Sequence, residues 1–127
     1  MGRRSSIELK SPEQILRMRA AGLVVARTLA ALRDAARPGT TTEELDALAR
    51  EHIAAAGATS SFLGYGGGFG LPPFPAVTCI SVNSEIVHGI PGERVLADGT
   101  VLRPLDVAAV LEAGRRYGMH VVNLRLA

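Results

Sequence analysis

Residues 80–92 read ISVNSEIVHGIPG. A β-branched run, Ile80 to Val82, meets Asn83-Ser84-Glu85, and Ile86 and Val87 then lead to a lone histidine, His88, before Gly-Ile-Pro-Gly. Apolar runs separated by turn-forming residues predict a β-hairpin, with VTCISV (77–82) as one arm and EIVHGI (85–90) as the other. Pro91-Gly92 ends it, and Asp98-Gly99 marks a further turn. A histidine at the end of such a hairpin is either packing or chemistry, and the hairpin alone leaves both open.

Upstream, the period changes to that of helices. Ser11 is suited to an N-cap, Pro12 to the first helical position, and Gln14 completes a capping box. Ile15, Met18, Gly22, Val25, Leu29, Leu32 and Ala36 recur at spacings of three and four and predict one buried face, ended by Arg37-Pro38-Gly39. Thr41 and Glu44 form a second capping box. Leu45, Leu48, His52 and Ile53 line the face of a second helix, and Gly57 supplies its stop. His52 has no ligand-type neighbour on its own face and reads as a histidine on the edge of a helix.

Residues 59–76, TSSFLGYGGGFGLPPFPA, hold five glycines and three prolines and predict a loop. No Lys-Ser or Lys-Thr follows, so a phosphate-binding loop is a poor reading, and a pocket wall or a crossing loop is the better one. Downstream, VLRPLDVAAVLEA (101–113) and GMHVVNLRLA (118–127) predict two further short strands. Two helices followed by antiparallel strands make an α+β domain.

Composition bounds the function classes. The chain has 127 residues, 47% of them hydrophobic, enough for one domain with its own core. A net charge of +2, with no basic stripe interleaved with aromatics, argues against nucleic acid. The single cysteine, Cys79, allows no internal disulfide and fits a reducing compartment. No apolar run is long enough to span a bilayer, and MGRRSSIELKSPEQ lacks the apolar core of a secretory signal. The expectation is a soluble cytoplasmic protein with no membrane partner, with residues 1–10 as a tail and 11–127 as the domain.

Five motifs in order carry a resemblance: SPEQILRMRAAG (11–22), RPGTTTEELDALA (37–49), FLGYGG (62–67), FPAVTCISVN (74–83) and NSEIVHGIPGERVLADG (83–99). Together they resemble the N-terminal half of a type I methionine aminopeptidase, of the creatinase-like "pita-bread" fold. The likeness covers about residues 7–99 and is lost over 100–127. It implies removal of the initiator methionine from nascent chains. It also implies that His88 contacts the substrate peptide rather than a metal, as an imidazole suited to donate a hydrogen bond while a tetrahedral intermediate forms. Tyr65, Phe74, Cys79 and Phe62 fall where the family places its methionine side-chain pocket. Aromatic rings and sulfur suit a polarizable thioether. Cys79 also reads as a small buried hydrophobe.

The family's reaction uses two divalent metals, such as cobalt, iron, manganese or zinc, bridged by carboxylates. Members carry an Asp ligand after the hairpin's Asp-Gly and a second eleven residues later. Here the continuation is TVLRPLDVAAVLEAGRRYGMHVVNLRLA, with no acidic residue after Glu112. Depending on the gap near Pro104, the first ligand position holds Leu105 or Leu111 and the second falls near Val122. Asp106 alone lies near a ligand position, and the spacings of Asp106, Glu112 and His120 do not place them on one strand face. The expectation is therefore a partial family domain, inactive alone, that binds no metal and self-associates through an exposed sheet edge. The alternatives are a non-catalytic peptide-binding or interaction protein, or a truncated or frame-shifted remnant.

Overall fold

The computed structural model describes residue 7 and residues 9–86, 88–104 and 124–126. Helix α1 spans Pro12–Ala35 and helix α2 spans Thr42–Ala55. Both begin where the capping boxes place them. Ser11 Oγ accepts from Gln14 N while Gln14 Oε1 accepts from Ser11 N, and Thr41 and Glu44 repeat the exchange on α2. Gly57, at φ 65°, closes α2 in the left-handed conformation that glycine adopts without a Cβ penalty.

Among the described residues four short strands follow: β1 (Ala58–Ser60), β2 (Ile80–Val82), β3 (Leu102–Pro104) and β4 (Leu124–Leu126). They form two antiparallel pairs, β1 with β4 and β2 with β3. In the second pair Ile80 faces Pro104 and Val82 faces Leu102. The core lies between the helices and these strands. It gathers Leu32, Leu45, Ala49, Ile53, Ala58, Val77, Ile80, Val82 and Leu96, with Leu45 at 2% exposure its most enclosed large side chain.

The hairpin expected over 77–90 is not formed. β2 takes β3 as its partner, twenty residues downstream, and the described residues of the expected returning arm, 85, 86 and 88–90, form no strand. Three local features explain this. Glu85 Oε2 accepts from Val82 N at 2.9 Å and occupies the donor that a returning arm would pair. His88 sits at φ 67°, which breaks an extended run. Gly89 presses against Ile80 instead of pairing in register, with Ile80 N donating to Gly89 O at 2.9 Å and Gly89 N donating to Ser81 Oγ at 3.2 Å. Further strands were expected over 101–113 and 118–127. β3 and β4 fall within them, and residues 105–113, 118–123 and 127 lie outside the described residues. β1 occupies the start of a stretch expected to be loop throughout.

The expected face of α1 is also only half right. Leu32 is buried together with Ala21 and Thr28, whereas Ile15 and Met18 are exposed. Length explains it. At 1.5 Å per residue α1 runs about 36 Å and α2 about 21 Å, so α2 is too short to cover the whole of its neighbour. On α2 the buried residues are Thr42, Leu45, Asp46, Ala49 and Ile53, while Leu48 is half-buried and His52 is exposed, off the face it was expected to edge.

Candidate functional site

The glycine-rich stretch folds back on itself as a small closed loop. Gly64 N donates to Phe74 O at 2.8 Å, and Phe74 N donates to Tyr65 O at 2.9 Å. A short 3-10 turn, Gly67–Phe69, lies between, entered by Gly66 at φ 91° and left by Gly70 at φ 74°. This closure brings Phe62 and Phe74 together in an edge-to-face pair with centroids 6.4 Å apart. Tyr65 is not part of that pair. It stands 66% exposed and packs on the ring of Phe69, 6.3 Å away.

Ser60 ties this loop to the segment leading into β2. Its hydroxyl donates to Val77 O at 3.4 Å and accepts from Phe62 N at 3.1 Å and Leu63 N at 3.4 Å. Two residues beyond Val77 stands Cys79, buried at 6% exposure, with its Sγ 3.9 Å from His88 Nδ1. Cys79 and His88 are thus brought together, and Phe62 and Phe74 are linked to them through Ser60 and Val77. Burial raises the pKa of the Cys79 thiol, and the nearby Asp46 raises it further, so the group is a neutral thiol and not a thiolate nucleophile.

His88 owes its position to its neighbour. A Cβ on Gly89 would lie 2.1 Å from Ile80 O, so only glycine lets this backbone approach β2. His88 itself holds a left-handed φ, sparsely populated by residues other than glycine, with an exposed ring.

Asp46 is the residue that the sequence did not single out. It lies on α2 at 5% exposure. Its Oδ1 accepts from Val77 N at 3.0 Å, Thr78 N at 2.8 Å and Thr78 Oγ1 at 2.6 Å. Its Oδ2 accepts from Arg50 Nη2 at 3.2 Å. The only available signal was its place among Thr42, Leu45, Ala49 and Ile53 on the core face of α2.

Among the described residues, no three His, Cys, Asp or Glu side chains are grouped to hold a metal ion. Asp106 lies outside the described residues, as do Glu112 and His120. No described helix is long and apolar enough to cross a membrane. An open groove of about 400 Å³, with Leu29, Leu32, Leu45, Ile80, Leu96 and Leu102 in its lining, contains none of the candidate site residues.

Comparison with known proteins converges on one family. The model described as "Metallopeptidase family M24" matches residues 16–117. A methionine aminopeptidase of Clostridium perfringens is 42% identical over 118 residues, covering 89% of this chain and 45% of that protein. An uncharacterized protein of Micrococcus luteus is 52% identical over 92 residues, covering 72% of this chain and 99% of that one. The crystal structure of a methionine aminopeptidase from Thermotoga maritima superimposes with a TM-score of 0.70 at 34% identity, over 76% of this chain and 37% of that one. The α+β architecture is thus the partial pita-bread fold that the motifs implied. The chain spans less than half the length of the methionine aminopeptidases it matches.

Proposed function

Because this chain belongs to metallopeptidase family M24, we propose that it forms the methionine-recognition part of a methionine aminopeptidase, a partial domain over residues 11–127. Its ligand is then the N-terminal methionine of a nascent chain in the cytoplasm. The observation that carries this reading is the Cys79 Sγ–His88 Nδ1 contact of 3.9 Å, linked through Ser60 and Val77 to the Phe62–Phe74 pair. Apolar rings and a neutral thiol suit a thioether side chain. Tyr65, exposed beside Phe69, belongs to the rim.

His88 Nδ1 lies 3.9 Å from Cys79 Sγ. Were the thiol the donor in that contact, the neutral imidazole would carry its N–H on Nε2. That N–H is the group which would donate to the carbonyl of the substrate's first peptide bond and favour the oxyanion over the ground state. The left-handed backbone at His88 supports the same role, since such strain collects at functional sites.

Family members draw their nucleophilic water from a pair of divalent ions. The described residues do not fit such a pair, and no step of this proposal passes through it. No two acidic residues over 93–127 stand at the family's eleven-residue spacing, and on this proposal the chain alone binds without cleaving.

A Met-Ala-Ser peptide titrated into the purified chain tests both parts. Binding should weaken by about 1–2 kcal/mol in His88→Ala, the loss of one hydrogen bond to a partly enclosed partner. No methionine should be released with added cobalt, manganese or iron. Equal binding of the peptide by the native chain and His88→Ala would refute the recognition role. Chelator-sensitive release in proportion to this chain would refute binding without cleavage.

A further inference from the structure

Helix α2 grips the segment that bears Cys79 and His88 at both ends. At the leading end, one oxygen of Asp46 collects the amides of Val77 and Thr78 and the Thr78 hydroxyl, immediately before Cys79. At the trailing end, Thr42 Oγ1 donates to Gly92 O at 3.0 Å and accepts from Gly92 N at 2.9 Å. Two first-turn amides of the helix, free of intrahelical partners, complete the grip. Thr42 N donates to Arg94 O at 3.1 Å, and Glu43 N donates to Gly92 O at 3.0 Å. Thr42 and Asp46 are one turn apart on one face, and both are buried.

A buried carboxylate is a costly way to fill space, and an apolar side chain of similar volume would meet the same packing need at less desolvation cost. What the carboxylate adds is direction. Three donors converging on one oxygen fix the orientation of two consecutive peptide planes, and Cys79 is the next residue along. The Thr42 hydroxyl does the same for Gly92, which follows His88 by four residues.

We propose that Asp46 and Thr42 are positioning residues, a two-point clamp on α2 that sets the Cys79–His88 geometry and with it the shape of the methionine pocket. The pocket part rests on the function proposed above, whereas the clamp itself is tested without any peptide. Cys79 is the chain's single cysteine, so its alkylation by iodoacetamide reports one site.

In Asp46→Ala the alkylation rate should rise about tenfold or more by a route independent of urea, the mark of local rather than global opening. The imidazole NMR signals of His88 should shift, and helical circular dichroism should be retained. Asp46→Asn keeps an acceptor oxygen and should stay within about threefold of the native rate. A folded Asp46→Ala with native alkylation and native His88 signals would overturn the clamp. So would a folded Asp46→Asn that behaves as Asp46→Ala does, because the acceptor would then not be what matters. If Asp46→Ala does not fold, Thr42→Val, which keeps the side-chain shape and loses both hydroxyl bonds, decides. Displaced His88 signals in folded Thr42→Val uphold the clamp, and unchanged ones overturn it. Absence of peptide binding by the native chain would refute the recognition role and leave these readings intact.

Discussion

Replacing Gly89 with alanine places a methyl group where β2 already stands. The added Cβ would lie 2.1 Å from Ile80 O, 2.7 Å from Ile80 C and 2.8 Å from Ser81 Cα. All three are backbone atoms, so no side chain can swing away. Relief needs a shift of about 1.3 Å, from 2.1 Å out to the 3.4 Å at which ordinary contact begins. That shift breaks the Ile80 N–Gly89 O bond and strains the Gly89 N–Ser81 Oγ bond. Two hydrogen bonds at about 1 kcal/mol each, with residual overlap added, give a loss of about 2–4 kcal/mol. With a urea slope near 2 kcal/mol per molar, the unfolding midpoint should fall by about 1–2 M. Gly92→Ala is the matched control. Nothing lies within 4 Å of its added Cβ, and its amide and carbonyl stay available to Thr42. It should be neutral or stabilising by up to about 1 kcal/mol, through the unfolded chain's lost freedom. Equal midpoints for Gly89→Ala and the native chain would refute the close approach and the placement of His88 that depends on it.

Two further outcomes follow from the same geometry. The Cys79 thiol is raised by burial and then by Asp46, so the unfolded chain ionises first. Stability should therefore hold below the ordinary thiol range, near 8.5, and fall as pH rises through it towards the raised folded value. Cys79→Ala should flatten that decline in urea titrations at pH 7 to 10, and an unchanged slope would remove the linkage. Ser60→Ala strips the hydroxyl that joins Val77 O to the amides of Phe62 and Leu63. It should cost about 1–2 kcal/mol and loosen Phe62 from Phe74, read from ring NMR contacts, and retained contacts would refute the bridging role.

What was legible in the sequence followed locality. Ser11 with Gln14 and Thr41 with Glu44 satisfy helix termini within four residues, so both starts were written in the chain. The hairpin misled because alternation and turn residues do not report a competing partner. Glu85 capping Val82 N is local but invisible to alternation, and β3, arriving from beyond Val101, lies outside any short window. Ile15 and Met18 carry the period of a buried face, but the period cannot say how far a neighbouring helix reaches. Cys79, His88, Phe62 and Phe74 were named through motifs, and the folded chain brings them into two linked pairs. Asp46 stayed hidden because a lone acid on a helix normally faces water, and its donors are 31 and 32 residues away.

The grip of α2 on both ends of one segment also bears on the route by which the chain collapses. The Thr42–Gly92 bonds span 50 residues and the Asp46–Thr78 bond spans 32. If the shorter span closes first, the remaining excursion from Thr78 to Gly92 is about 14 residues instead of 50, and its closure entropy falls by about 1 kcal/mol. The carboxylate thus lowers the entropic barrier to the hydroxyl contact that follows it. As the chain leaves a ribosome, α2 can nucleate at once through its own cap. Its docking must wait until residues 77 and 78 have emerged, and the second closure completes only after Arg94 does.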